Sequence, residues 1–66
     1  MSVIKVIELM SSSKKSWEDA TAKAVKKAGK SIKEIRSAYV QDQSVVVKNG
    51  EIVEYRVNLK VSFEVK

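Results

Sequence analysis

Along the last third of the chain every second residue is apolar. Val53, Tyr55, Val57, Leu59, Val61, Phe63 and Val65 alternate with Glu54, Arg56, Asn58, Lys60, Ser62, Glu64 and Lys66 without an exception. A repeat of two is the period of a β-strand, so one face of this strand meets a core and the other meets water or a polar interior. Just before it, Lys48-Asn49-Gly50-Glu51 carries the Asn-Gly pair that accepts the positive φ angles of a two-residue type I′ turn. The pattern predicts a β-hairpin with its first strand at about Ser37 to Lys48. Near the start, Val3 to Met10 is rich in Val, Ile and Leu and has a common strand length. Ser11-Ser12-Ser13 reads as a loop after it.

Ser16 stands three residues before Asp19, a loose capping box, and a helix is expected from about Trp17. Trp17, Ala20, Ala24, Val25 and Ala28 share one helical face, while Lys23, Lys26, Lys27, Lys30 and Lys33 lie largely outside it. Alanines on the inner face allow the helix to approach a sheet closely, with Trp17 as the bulky anchor. Gly29 suits the helix end, and Ile32 and Ile35 extend the apolar face through a looser turn. The element order is β-α-β-β, an α+β fold with one helix packed on a three-stranded antiparallel sheet. Residues 1–66 are expected to form a single domain.

Length sharpens this picture. Sixty-six residues bury only about 60% of their unfolded surface. The chain has no cysteine and no histidine, so disulfides and common metal ligands offer no support. A strand running from Glu51 to the end would extend roughly 50 Å, about twice the span of a compact chain this long. Such a hairpin twists, projects, or does both, and its edges need covering by copies of the same chain. A homo-oligomer is therefore expected.

Composition narrows the function. Without His or Cys the usual general base and soft nucleophile are missing, and no Gly-rich phosphate loop follows a strand, so an enzyme is not expected. Serines at positions 11, 12, 13 and 16 fit loop and cap roles better than a nucleophile or phosphate site. The net charge of +5 attracts anions without choosing among them. The helical lysines carry no interleaved aromatics, so they read as a solvated face and nucleic acid is not an expected partner. Glu8, Asp42, Glu54 and Glu64 are scattered over strands and would hold a divalent cation only where symmetry brings copies together. No apolar run reaches the ~18 residues of a membrane span and MSVIKVIELM is too short and too charged for a signal peptide, which points to a cytoplasmic protein.

The succession of a first strand, a Ser-rich turn into SWEDA, a basic helix, IRSAYVQDQ, a turn and EYRVNLKVSFEV resembles the dodecin family over nearly all the chain. The resemblance implies a hollow homododecamer of β-α-β-β protomers, with sheets inside and helices outside. It also implies a flavin, FMN or riboflavin, stored or buffered between subunits: paired rings stack on a tryptophan at the start of the second strand and meet a glutamine on the third. Those positions fall on Ser37 and Arg56. Tyr39 offers an aromatic ring two residues along, Arg56 a planar donor for a ring or a phosphate, and Asp42 and Gln43 match family positions. Simple alternation would put Tyr39 and Gln43 on the face of Ser37. The alternative is a flavin-free assembly that binds an ion or another ligand because the stacking tryptophan and the ring-binding glutamine are replaced.

Overall fold

The computed structural model describes residues 3–65. Strand β1 spans Val3–Ser13, helix α1 Trp17–Ser31, strand β2 Ile35–Lys48 and strand β3 Glu51–Val65. The sheet order is β1-β3-β2, antiparallel throughout, so the strictly alternating strand lies in the centre. Its inward residues Val57, Leu59 and Val61 are buried and join Ala20 and Ala24 of α1 in the core. At about 1.5–3 kcal/mol for each fully buried aliphatic side chain, these three positions dominate the stability of so small a core. The two alanines let the helix lie close against β1 and β3.

The helix is held at both ends. Ser16 has an extended backbone, and its hydroxyl accepts the Asp19 N–H at 2.9 Å. Glu18 and Asp19 occupy the positive end of the helix dipole, and Lys30 the negative end. The helix continues past Gly29 to Ser31, and the Ile32 N–H closes the last turn on the Ala28 carbonyl at 2.8 Å. Trp17 is half-buried, donates its indole N–H to the Ser44 carbonyl at 3.0 Å, and meets Tyr55 edge to face at 5.2 Å. One side chain thereby ties α1 to both strands of the hairpin.

Two expectations change. Ser11, Ser12 and Ser13 are not a loop: they are the last residues of β1, opposite Val57, Arg56 and Tyr55. A strand pairs through its backbone, so polar side chains do not end it while β3 continues alongside. The buried Ser13 hydroxyl is satisfied by Asp19, to which it donates at 2.6 Å. Strand β2 begins earlier than Ser37, with Ile35 opposite Phe63. The preceding turn holds Glu34 at φ 65°, where its carbonyl accepts the Glu64 N–H at 3.0 Å.

The Asn-Gly turn forms as expected, with φ of 53° at Asn49 and 76° at Gly50. The hairpin it closes makes the molecule long, 51 × 19 × 13 Å. Its radius of gyration is 13.6 Å, against about 11 Å for a compact chain of this length. A helix of 15 residues covers roughly 22 Å of that length. Beyond it Val47, Ile52 and Val53 stay exposed on the arm, and Val3, Ile4, Val6 and Val65 at the opposite end.

Candidate functional site

The register of the sheet determines which side chains share the face away from the helix. Partners across an antiparallel pair point to the same side. The even-numbered residues of β3 from Glu54 to Glu64 therefore stand with Ile4, Val6, Glu8, Met10 and Ser12 of β1. From β2 they are joined by Ser37, Tyr39, Asp42, Ser44 and Val46.

That set mixes odd and even residues because β2 is bulged. The pairing steps from Val40–Leu59 to Asp42–Asn58, so Gln41 is an extra residue and the alternation inverts after it. Consequently Gln43 pairs with Val57 and belongs to the helix side of the sheet, not to the face of Ser37 and Tyr39 as simple alternation implies. A second shift at Arg36 puts Ile35 on the helix side and Ser37 on the other. A third, at Val53, returns Ile52 and Val47 to the helix side and sends Glu51 and Lys48 to the open face.

Four of the five candidate site residues thus share one surface: Ser37, Tyr39, Asp42 and Arg56. All are exposed. The Ser37 hydroxyl is hydrogen-bonded to that of Ser62 across the sheet. No aromatic platform stands at that position; the nearest ring on this face is Tyr39, which is 66% exposed. Arg56 lies opposite both Ser12 of β1 and Ser44 of β2. Sequence reading overlooked those two serines, since only the register brings them beside an arginine forty-four and twelve positions away in the chain.

Charge is unevenly shared between the two sides. Of eight carboxylates in the chain, Glu8, Asp42, Glu51, Glu54 and Glu64 are on the open face, with Lys48, Arg56 and Lys60 as its described cations and Arg36 reaching Glu64 from the bulge at its edge. The helix lysines lie on the other side. Glu64 is engaged by Arg36, whose guanidinium donates to it at 2.7 Å and also pairs with Glu34 at 2.9 Å. The hydrogen bond to Glu64, and then the two negative charges, hold the Arg36 pKa above its usual value. On the helix side the Ser13 hydroxyl and Lys23 hold the Asp19 carboxyl below the usual carboxylate range. Among the described residues no three His, Cys, Asp or Glu side chains come close enough within one chain to hold a metal ion. A cation site built from these carboxylates requires more than one copy.

A groove of about 450 Å³ separates α1 from the free edge of β1, lined by Ile7, Leu9, Lys23, Ala24, Lys27 and Ile32. No described helix is long and apolar enough to cross a membrane.

The comparisons with known proteins agree with this architecture. Residues 3–66 match the Dodecin family. The whole chain aligns at 42% identity with a protein of Mycobacterium tuberculosis named calcium dodecin, covering 93% of that relative. The crystal structure of the M. tuberculosis calcium dodecin, described as having a novel calcium-binding site, superimposes with a TM-score of 0.85 at 43% identity over 97% of this chain and 91% of that one. An arginine-to-alanine variant of the Thermus thermophilus dodecin superimposes with a TM-score of 0.94 at 26% identity, covering all of this chain and 98% of the other.

Proposed function

The chain belongs to the dodecin family, and from that premise we propose that it assembles as a homododecamer which takes up divalent cations, calcium first, on the open faces of its sheets where copies meet. The observation that carries this reading is the gathering of five carboxylates on the face opposite the helix, against a basic background. Calcium takes six to eight oxygen ligands and tolerates carboxylates contributed from several places. The described residues of one chain bring no three carboxylates together, whereas symmetry-related copies of Glu8, Asp42 or Glu54 would. The M. tuberculosis relative, 42% identical over the full length of this chain, supports the choice of ion by its name. The function is binding and buffering, without catalysis, in the cytoplasm.

A second reading, flavin storage, draws on the exposed Tyr39 ring, which shares its surface with Arg56 and Asp42. Against it stands Ser37, which gives a hydroxyl already bonded to Ser62 where the family places a stacking ring. Aromatic stacking contributes about 1 kcal/mol or more per contact, and a paired site loses it twice. FMN or riboflavin would be held weakly.

Parallel titrations of the purified assembly separate the two readings. Calcium uptake by calorimetry, competed by a chelator and abolished by Asp42→Asn with Glu54→Gln or Glu8→Gln, supports the cation. Quenching of riboflavin or FMN fluorescence at micromolar protein, with no calcium uptake, would replace it by the flavin.

A further inference from the structure

On the helix side of the sheet, away from the five carboxylates, an apolar trough has cations on its lip. The groove between α1 and the free edge of β1 holds about 450 Å³, within the range of small-ligand sites. Ala24 and Ala28 contribute only methyl groups to its wall, and Ile7, Leu9 and Ile32 are left half-buried along it. Lys23 and Lys27 line it, both exposed, and no carboxylate does. Lys27 is in no ion pair among the described residues. Lys23 meets Asp19 at 3.1 Å, which engages one of the three donors of its ammonium group.

The groove has a polar end and an apolar end. Strand and helix are pinned together by the Ser13 hydroxyl, which donates to Asp19. From that point two residues back along β1 cover ~7 Å and four residues along α1 cover ~6 Å, so Ser11 falls level with Lys23 and Leu9 with Lys27. Ile7 and Ile32 line the far end. Ser11 lies on the helix side with Ser13, and its hydroxyl makes no hydrogen bond among the described residues. Lys27 stands between the two ends, where its methylene stem can lie along an apolar ligand while its charge stays at the lip.

We propose that this groove binds the anion of a free fatty acid, with its carboxylate at the Ser11 and Lys23 end and its alkyl chain along Leu9, Ile7 and Ile32. The two ammonium groups and the Ser11 hydroxyl donate to the carboxylate, and the chain removes apolar wall from water. Charge complementarity selects this occupant. The apolar tip of a second copy's arm, Val47 and Ile52, carries Lys48 and Glu51 beside it in equal number and would leave the cationic lip uncompensated. The site lies on the other side of the sheet from Glu8, Asp42 and Glu54, so it rests neither on the cation reading nor on the flavin reading.

The test is calorimetric titration of the assembled full-length protein, in calcium-free buffer and below micelle-forming concentrations, with decanoate, laurate, butyrate, decanol and decyltrimethylammonium. Decanoate is expected to saturate at one per chain, and laurate to bind about 3- to 10-fold more tightly for its two further methylenes. Decanol should bind at least about 10-fold more weakly than decanoate, and butyrate and decyltrimethylammonium not at all. Lys27→Glu, at an exposed and unpaired position, should weaken decanoate about 10-fold or more and leave decanol unchanged. Ala28→Phe, which fills the groove, should abolish both; if it fails to fold, Lys27→Glu carries the test. Uptake that does not saturate, equal binding of decanol or of the cationic amphiphile, or indifference to Lys27→Glu overturns the assignment. So does a changed subunit number for Lys27→Glu in native mass spectrometry with no decanoate bound by the wild type, which gives the groove to a second copy, or binding to phosphatidylglycerol vesicles without uptake of decanoate, which gives it to a membrane surface.

Discussion

On the proposed reading, single side chains decide whether this face takes a ring or a charge. Ser37 and Arg56 stand where the resemblance described above implies a stacking tryptophan and a ring-binding glutamine, and the double variant Ser37→Trp with Arg56→Gln supplies both. It is expected to gain flavin affinity by roughly 10-fold or more, two stacked rings being worth about 2 kcal/mol together, measured as fluorescence quenching of riboflavin. No gain would show that other residues of the site control the ligand. A second residue, Asp19, links the end of β1 to the helix through Ser13 and Lys23, and its pKa is lowered in the folded chain. A group whose folded pKa is depressed stabilises the fold above its unfolded pKa, and that contribution disappears as pH falls through the folded value. Urea midpoints of the wild type should therefore drop relative to those of Asp19→Asn as pH is lowered from the carboxylate's ordinary range into more acid solution. Parallel curves for the two proteins would rule out the linkage.

At the level of elements, the central strand and the turn beside it carry the fold. Leu59→Ala removes one of the three largest fully buried side chains and is expected to cost about 2–5 kcal/mol in chemical denaturation. A change under about 1 kcal/mol would place the core elsewhere. The alternation of β3 and the Asn49-Gly50 pair made the hairpin, the antiparallel order and the apolar face legible from the sequence alone. Ser16 and the alanine face did the same for the helix. The serines at the end of β1 were not legible, because nothing in their side chains reveals that β3 runs alongside them. Nor was the face of Gln43: an extra residue at Gln41 inverts the alternation, and nothing about a glutamine marks it as a bulge. Alternation therefore placed Ser37 and Tyr39 on one face, as the register does, but misplaced Gln43, and it could not bring Ser12 and Ser44 beside Arg56.

The whole molecule has more apolar surface than it can cover. Five hydrophobic residues are buried among those described, while nine large ones are exposed, from Val3 and Met10 to Val47, Ile52 and Val65. Exposed apolar area on that scale marks surfaces for association. Ile52→Asp, on the uncovered arm, should leave the Asn49-Gly50 turn and the secondary structure intact by circular dichroism yet shift the protein to smaller species in sedimentation velocity; an unchanged sedimentation coefficient would take the arm out of the contact.

Native mass spectrometry of the wild-type protein at micromolar concentration, with and without added calcium, tests the account most directly. It predicts one closed homo-oligomer of twelve chains that retains calcium in multiples set by its symmetry. A folded monomer that stays dispersed and binds no cation would contradict it.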